Sequence, residues 1–144
     1  MSLTDTLRAG VTTRSPEETQ AVAAAWAAEL PRGSTVALHG DLGVGKTTFV
    51  QGFARGLGVT GAVTSPTFTV LNLYRAGEKT LAHLDAYRLR SDAEVEALMV
   101  DDFLRDPWWM LVEWPDRFGR GIPSDALHLE LSILPDRRHA LRLR

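Results

Sequence analysis

Residues Gly40-Asp41-Leu42-Gly43-Val44-Gly45-Lys46-Thr47 have the form G-x-x-x-x-G-K-[ST], a run that can hold phosphate. Its glycines let backbone N–H groups curl inward around an anion. Lys46 supplies a mobile positive charge for the β- and γ-phosphates, and the Thr47 hydroxyl is placed to hold Mg²⁺. The chain has 12 glycines in 144 residues. On this composition a chance arrangement would give such a run in roughly 0.2 % of sequences. Of its 16 Lys and Arg residues, only Lys46 and Lys79 are lysines. Lysine was kept where a compact ammonium suits phosphates better than a guanidinium fork.

The flanking residues must position this loop. Ser34 to His39 reads as a short buried strand running into it. Thr47 to Leu57 reads as a helix leaving it, with Phe49, Val50, Phe53, Ala54 and Leu57 at helical spacing. Phosphates would then sit on a helix N-terminus, where free N–H groups and the dipole favour negative charge. Gly40 to Thr47, with Thr48, are the expected nucleotide-binding residues.

A phosphate loop needs a further acid for Mg²⁺. Trp108-Trp109-Met110-Leu111-Val112 is a continuous apolar run, as in a strand buried on both faces, and it ends in Glu113. That puts a carboxylate at the C-terminal edge of the sheet, beside the loop, and makes Glu113 the expected metal ligand. Asp85, just past the preceding strand, could orient the attacking water, bind Mg²⁺ through water, or cap a turn. His83 alternates with Asp85, and a packed or solvent-facing role is expected for it over a catalytic one. Thr67, in Ser65-Pro66-Thr67, lies where switch segments of phosphate-loop enzymes lie, and a Thr hydroxyl there can sense the γ-phosphate. Trp114 could cover the nucleotide or fill core.

Bulk properties narrow the class. Hydrophobic content of 44 % and charged content of 24 % are ordinary for a globular protein. There is no Cys, which excludes disulfides, thiol nucleophiles and zinc-thiolate sites. No apolar run approaches membrane-spanning length, so a cytoplasmic protein is expected. The formal net charge is −2, unlike a protein that grips nucleic acid unaided. The basic cluster Arg137, Arg138, His139, Arg142 and Arg144 is expected on a solvated final hairpin.

Along the chain, Ser15 before Pro16 and Glu17-Glu18 marks a helix start. That helix should run through Ala28, with Trp26 and the alanines on its core side. Val11 to Arg14 is a candidate edge strand. Gly56 and Gly58 are expected to end the helix after the phosphate loop. Phe68 to Tyr74 and Thr80 to Asp85 read as a hairpin around Ala76-Gly77-Glu78. Ser91-Asp92-Ala93-Glu94 opens a helical stretch that Val100 to Leu104 could continue. Leu127, Leu129, Leu131 and Ile133 alternate as a half-buried strand, with Ala140 to Leu143 as its partner. The whole predicts one α/β domain over residues 1–144, a P-loop NTPase fold whose mixed central sheet is flanked by helices.

Four segments then carry a resemblance. They are Gly40-Asp41-Leu42-Gly43-Val44-Gly45-Lys46-Thr47-Thr48, Ser65-Pro66-Thr67-Phe68, His83-Leu84-Asp85-Ala86-Tyr87-Arg88-Leu89, and Leu111-Val112-Glu113-Trp114-Pro115. In this order they resemble the successive motifs of the bacterial tRNA threonylcarbamoyladenosine biosynthesis ATPase family, TsaE (also called YjeE). The phosphate loop alone is unspecific; the four together are highly specific. The resemblance implies a weak, Mg²⁺-dependent ATPase that associates with the TsaD and TsaB proteins. Those partners place a threonylcarbamoyl group on adenosine 37 of tRNA, and tRNA would be reached through them. It further implies Lys46 as the phosphate-loop lysine, Thr47 as the Mg²⁺ hydroxyl, Glu113 as the Mg²⁺ acid, Asp85 as the second acidic residue and Thr67 as the switch threonine. Arg138 would match an arginine near the nucleotide in the family's last hairpin, although Arg137 stands where some members have Gly.

Other classes share parts of the pattern. A small-molecule kinase would add an Arg-rich lid, for which Arg88-Leu89-Arg90 is the mid-chain candidate. A GTPase would need N-K-x-D, which is absent. A non-catalytic module would use nucleotide only to order a surface for a partner.

Overall fold

The computed structural model describes residues 2–64 and 70–144. In chain order the elements are α1 (Leu3–Ala9), β1 (Val11–Thr13), α2 (Pro16–Glu29), β2 (Ser34–His39), α3 (Lys46–Leu57), β3 (Leu71–Ala76) and β4 (Lys79–Asp85). They continue with α4 (Asp92–Ala97), a 3₁₀ turn (Val100–Phe103), β5 (Trp108–Glu113), α5 (Pro115–Phe118), a second 3₁₀ turn (Gly119–Gly121), β6 (Leu127–Ile133) and β7 (His139–Leu143).

The strands form a seven-stranded sheet in the order β1-β7-β6-β2-β5-β4-β3. The inner four, β6, β2, β5 and β4, run parallel. The outer strands β3, β7 and β1 pair antiparallel. Buried parallel strands read as near-continuous apolar runs, and β5 and β2 do so. The chain leaves β2 into the phosphate loop with parallel neighbours on either side. Open α/β sheets bind ligands at such a switch point.

The two faces are covered differently. On one, α2 and α3 pack over Val36, Leu38, Trp109, Leu111, Leu129 and Leu141. Ser15 caps α2 by accepting from the Glu18 N–H, with Pro16 in the first turn, as its sequence signature requires. Trp26 is fully buried and donates to Thr4 Oγ1 at 3.0 Å, tying α2 to α1. Helix α1 gave no strong sequence signal. It is short, and Leu7 is its buried residue.

Helix α3 runs through Gly56 and ends at Gly58, whose φ is 98°. Gly52 and Gly56 instead mark a close helix–helix approach. A Cβ at Gly52 would stand 2.4 Å from the Gln20 backbone, and one at Gly56 2.4 Å from the Ala24 carbonyl oxygen.

The opposite face carries Ala82, Leu84, Met110 and Val112 under α4, α5 with its Phe118, and the 3₁₀ turns. Val100 to Leu104 does not continue α4, because Met99 takes a left-handed conformation (φ 51°, ψ 44°) and breaks it. Strand β3 begins at Leu71 and runs to Ala76, beyond the expected Tyr74 end, while its expected start at Phe68 lies outside the described residues.

Candidate nucleotide site

Gly45 caps α3 in the left-handed region (φ 98°, ψ 23°), where an L side chain is strained. The turn it makes directs the first N–H groups of α3 at the space above the loop. The loop is pinned from the side by His139 on β7, whose Nδ1 lies 2.9 Å from the Val44 carbonyl oxygen. A carbonyl only accepts, so Nδ1 carries the hydrogen. His139 was expected on a solvated hairpin with its basic neighbours. Arg137, Arg142 and Arg144 are exposed as expected, but His139 turns inward. The pairing of β7 with β6 and β1 brings it to the loop, a contact without a local sequence signal. Its neighbour Arg138 donates from Nε to Asp136 Oδ2 at 2.5 Å, within the same turn.

Lys46 is buried, at 5 % exposure. Its Nζ donates to the Gly40 carbonyl at 2.6 Å and lies 3.9 Å from the centroid of the Trp114 ring. Burial lowers its pKa, against the opposing attraction of Glu113, Asp85 and Asp41. The ammonium thus faces the ring's negative face on one side and carboxylates across the cleft.

Two adjacent parallel strands bring the acids. Asp85 ends β4, Glu113 ends β5, and the two are in register. Both therefore reach the C-terminal edge of the sheet beside the loop. Asp85 accepts from the Tyr87 N–H at 2.9 Å through Oδ1, so it caps the turn after β4 and also lines the cleft. Glu113 is 4 % exposed and holds His83 at 2.6 Å, His83 Nε2 to Glu113 Oε2. His83 is fully buried, as a packed histidine should be, but it is bonded to the acid of the site. The register of β4 on β5 makes this diagonal pair, and the local sequence carries no signal of it beyond the alternation of His83 with Asp85.

Trp114 packs on core and also lies over Lys46. It follows Glu113 in a left-handed conformation (φ 54°, ψ 54°), which turns its ring over Lys46. It also packs on the core beneath α5. Tyr87 extends this cover, its ring 5.0 Å from Trp114, with the Arg117 guanidinium 4.8 Å from the Tyr87 ring.

Together Leu42, Gly43, Lys46, Thr47, Asp85, Tyr87, Arg88, Glu113 and Trp114 line a cleft of about 250 Å³. A larger cavity of about 640 Å³ opens elsewhere, on the thinly covered face between Val95, Met110 and Phe118 and the starts of β2 and β5. It has no phosphate loop and no lysine. The smaller cleft holds the loop lysine and both strand-end acids. Of the expected site residues, the fold brings Lys46, Thr47, Asp85 and Glu113 together there. Asp41 stands exposed on the loop, and Thr48 follows in the first turn of α3. Thr67 lies outside the described residues.

The donor set suits a hard cation. Thr47, Asp85 and Glu113 offer oxygen only, and Mg²⁺ takes one or two carboxylates plus phosphate oxygens and water. Among the described residues there is no group of three or more His, Cys, Asp or Glu that could hold a metal ion.

A mixed sheet with a phosphate loop at its switch point, a lysine in the loop and an acid ending the adjacent strand defines a P-loop NTPase fold. The solved structure of Bacillus subtilis YdiB superposes with a TM-score of 0.75 at 34 % identity, over 92 % of this chain and 81 % of that one. The model of the family described as "Threonylcarbamoyl adenosine biosynthesis protein TsaE" matches residues 13–140, and the chain belongs to that family. It is 42 % identical to the tRNA threonylcarbamoyladenosine biosynthesis protein TsaE of Bacillus subtilis, over 86 % of this chain and 77 % of the relative. The Synechocystis protein of the same description is 48 % identical, over 68 % of this chain and 64 % of its own length. Among the described residues no helix is long and apolar enough to cross a membrane.

Proposed function

We propose that this chain binds and slowly hydrolyses ATP with Mg²⁺, and thereby supports tRNA N6-threonylcarbamoyladenosine formation by a TsaD–TsaB pair. The observation that carries the reading is the convergence of Lys46, Thr47, Asp85 and Glu113 on one cleft at the N-terminus of α3. Family membership supports the pathway.

The roles follow from the donors. The α3 N–H groups and Gly43 to Thr48 hold the phosphate chain. Lys46 exchanges the Gly40 carbonyl for phosphate oxygens. Its lowered pKa favours giving that buried charge an anionic partner. Thr47 and Glu113 hold Mg²⁺, which when bound neutralises charge on the β- and γ-oxygens. Asp85 orients the attacking water, with its Oδ1 fixed by the Tyr87 N–H. Thr67 senses the γ-phosphate, and Arg138, on the turn next to His139, approaches the nucleotide. Trp114 and Tyr87 exclude water from the phosphates. Hydrolysis by the chain alone is slow, in keeping with the weak ATPase that the family resemblance implies. tRNA is met through the partners, in keeping with the net charge of −2.

Calorimetric titration of ATP with and without Mg²⁺ tests the reading. Binding that tightens with Mg²⁺ in the wild type is expected; no ATP binding in either condition would overturn it.

A further inference from the structure

His83 has a place in the fold that packing does not explain. It stands on β4 between Ala82 and Leu84, fully buried, in a strand whose other buried residues are Thr80, Leu81, Ala82 and Leu84. Its Nε2 meets Glu113 Oε2 at 2.6 Å, and among the described residues Nδ1 has no hydrogen-bond partner. A buried polar atom without a partner carries a desolvation cost and no return bond. A leucine or phenylalanine would fill the same space without it, and buried polar pairs are weak evidence of a stabilising role. The contact to Glu113 is therefore what the imidazole contributes. His83 does not line the cleft, so it acts through Glu113 and not on a ligand.

We propose that His83 is a positioning residue for the Mg²⁺ acid, an inference that rests on the reading of Glu113 as that acid. A carboxylate only accepts, so Nε2–H donates to Oε2. One oxygen is thereby held inside the sheet, and Oε1 is left for the metal. The fixed rotamer spares Glu113 the loss of side-chain freedom on taking the ion. It also keeps the carboxylate from turning to Lys46, whose Nζ is held across the cleft between Gly40 and Trp114. Partners of this kind behind a metal ligand are worth roughly 10–100-fold in metal affinity.

The test is a Mg²⁺ titration of protein saturated with a non-hydrolysable ATP analogue, followed by calorimetry and alongside circular dichroism. His83→Leu and His83→Phe both delete the donor, and whichever folds serves. The Mg²⁺ midpoint should rise by roughly 10–100-fold, while analogue affinity in EDTA stays as in the wild type. His83→Gln, which keeps an N–H donor, should recover much of the loss. In a Glu113→Ala background, His83→Leu should add nothing further, because its effect is routed through that carboxylate. An unchanged Mg²⁺ midpoint in the deletions overturns the proposal, as does an equal defect with and without Mg²⁺ or an additive defect in the Glu113→Ala background. A wild type whose analogue binding ignores Mg²⁺ overturns the metal reading of Glu113 itself. A wild type that responds to Mg²⁺ beside variants that match it overturns His83 alone.

Discussion

The two faces of the sheet are built by different rules, and the cleft lies where they meet. Under α2 and α3 the cover is two regular helices in backbone contact at Gly52 and Gly56. Under α4 and α5 it is short helices, broken at Met99 and turned at Trp114, with a cavity of about 640 Å³ between them. The first face supplies the groups that must hold position: the α3 N-terminus with Lys46 and Thr47, and His83 behind Glu113. The second supplies the cover: Trp114, Tyr87 and Arg117. Preorganised charge needs a frame that does not yield, whereas a cover over a ligand must open. The division predicts that damage to the helix packing of the first face costs stability, and that damage to side chains lining the cleft costs binding.

The largest effect should come from the helix contact. Gly52→Ala would push a methyl group into the Gln20 backbone, which cannot give way as a side-chain tip can. Overpacking of this kind costs about 3 kcal/mol at its upper range, a fall in melting temperature of roughly 10 °C for a chain of this size. A melting curve that matches the wild type would break the comparison at its firm side.

Lys46→Ala should do the reverse. Its bonds to Gly40 and Trp114 are local, and its pKa is already lowered by burial, so the fold should keep its melting temperature. Loss of a charge-assisted phosphate contact should weaken ATP binding by about tenfold or more and abolish hydrolysis. Wild-type ATP affinity by calorimetry, in a variant with a normal circular dichroism spectrum, would contradict the role given to Lys46.

The two acids should separate. Glu113→Ala should lose the gain in ATP affinity that Mg²⁺ confers. Asp85→Ala should bind Mg-ATP nearly normally and hydrolyse it about 10²-fold more slowly, since orienting the nucleophile acts in the transition state. Equal losses of binding from both would sink the division.

How much of this was legible in the sequence depends on whether the contact is local. The phosphate loop, the Ser15 cap and the strand ending in Glu113 are each set by residues a few positions apart, and the structure has them where patterning puts them. Gly56 looked like a helix end because a glycine near Gly58 reads as punctuation. Its use is a tertiary contact with Ala24 that no local pattern encodes. The break at Met99 was hidden because a non-glycine left-handed residue leaves no compositional mark. His83–Glu113 and His139–Val44 depend on sheet register across 30 and 95 residues of chain.

The smallest effect concerns the exposed half of the sheet beyond the cleft. His39 Nε2 lies 2.8 Å from His128 Nδ1. Burial first, then Arg144 and His128, lower the His39 pKa below its usual value of 6.5. A histidine whose folded pKa is depressed binds its proton more readily in the unfolded chain. Stability should therefore be full above pH 6.5 and fall as the pH drops through that value towards the folded pKa. His128→Asn removes one of the three causes and should shallow the fall. Melting temperatures between pH 7.5 and pH 5 that decline equally in both proteins would leave the His39–His128 contact without energetic consequence.

The function proposed above has the cleft turn over ATP with Mg²⁺ as part of a TsaD–TsaB assembly. Single-turnover release of phosphate from γ-labelled ATP, with excess protein and with or without the purified TsaD–TsaB pair, measures it most directly. Slow, Mg²⁺-dependent release by the chain alone is expected, with a changed rate beside the pair and none from Lys46→Ala. Release that is independent of Mg²⁺, indifferent to the pair, or intact in Lys46→Ala would contradict it.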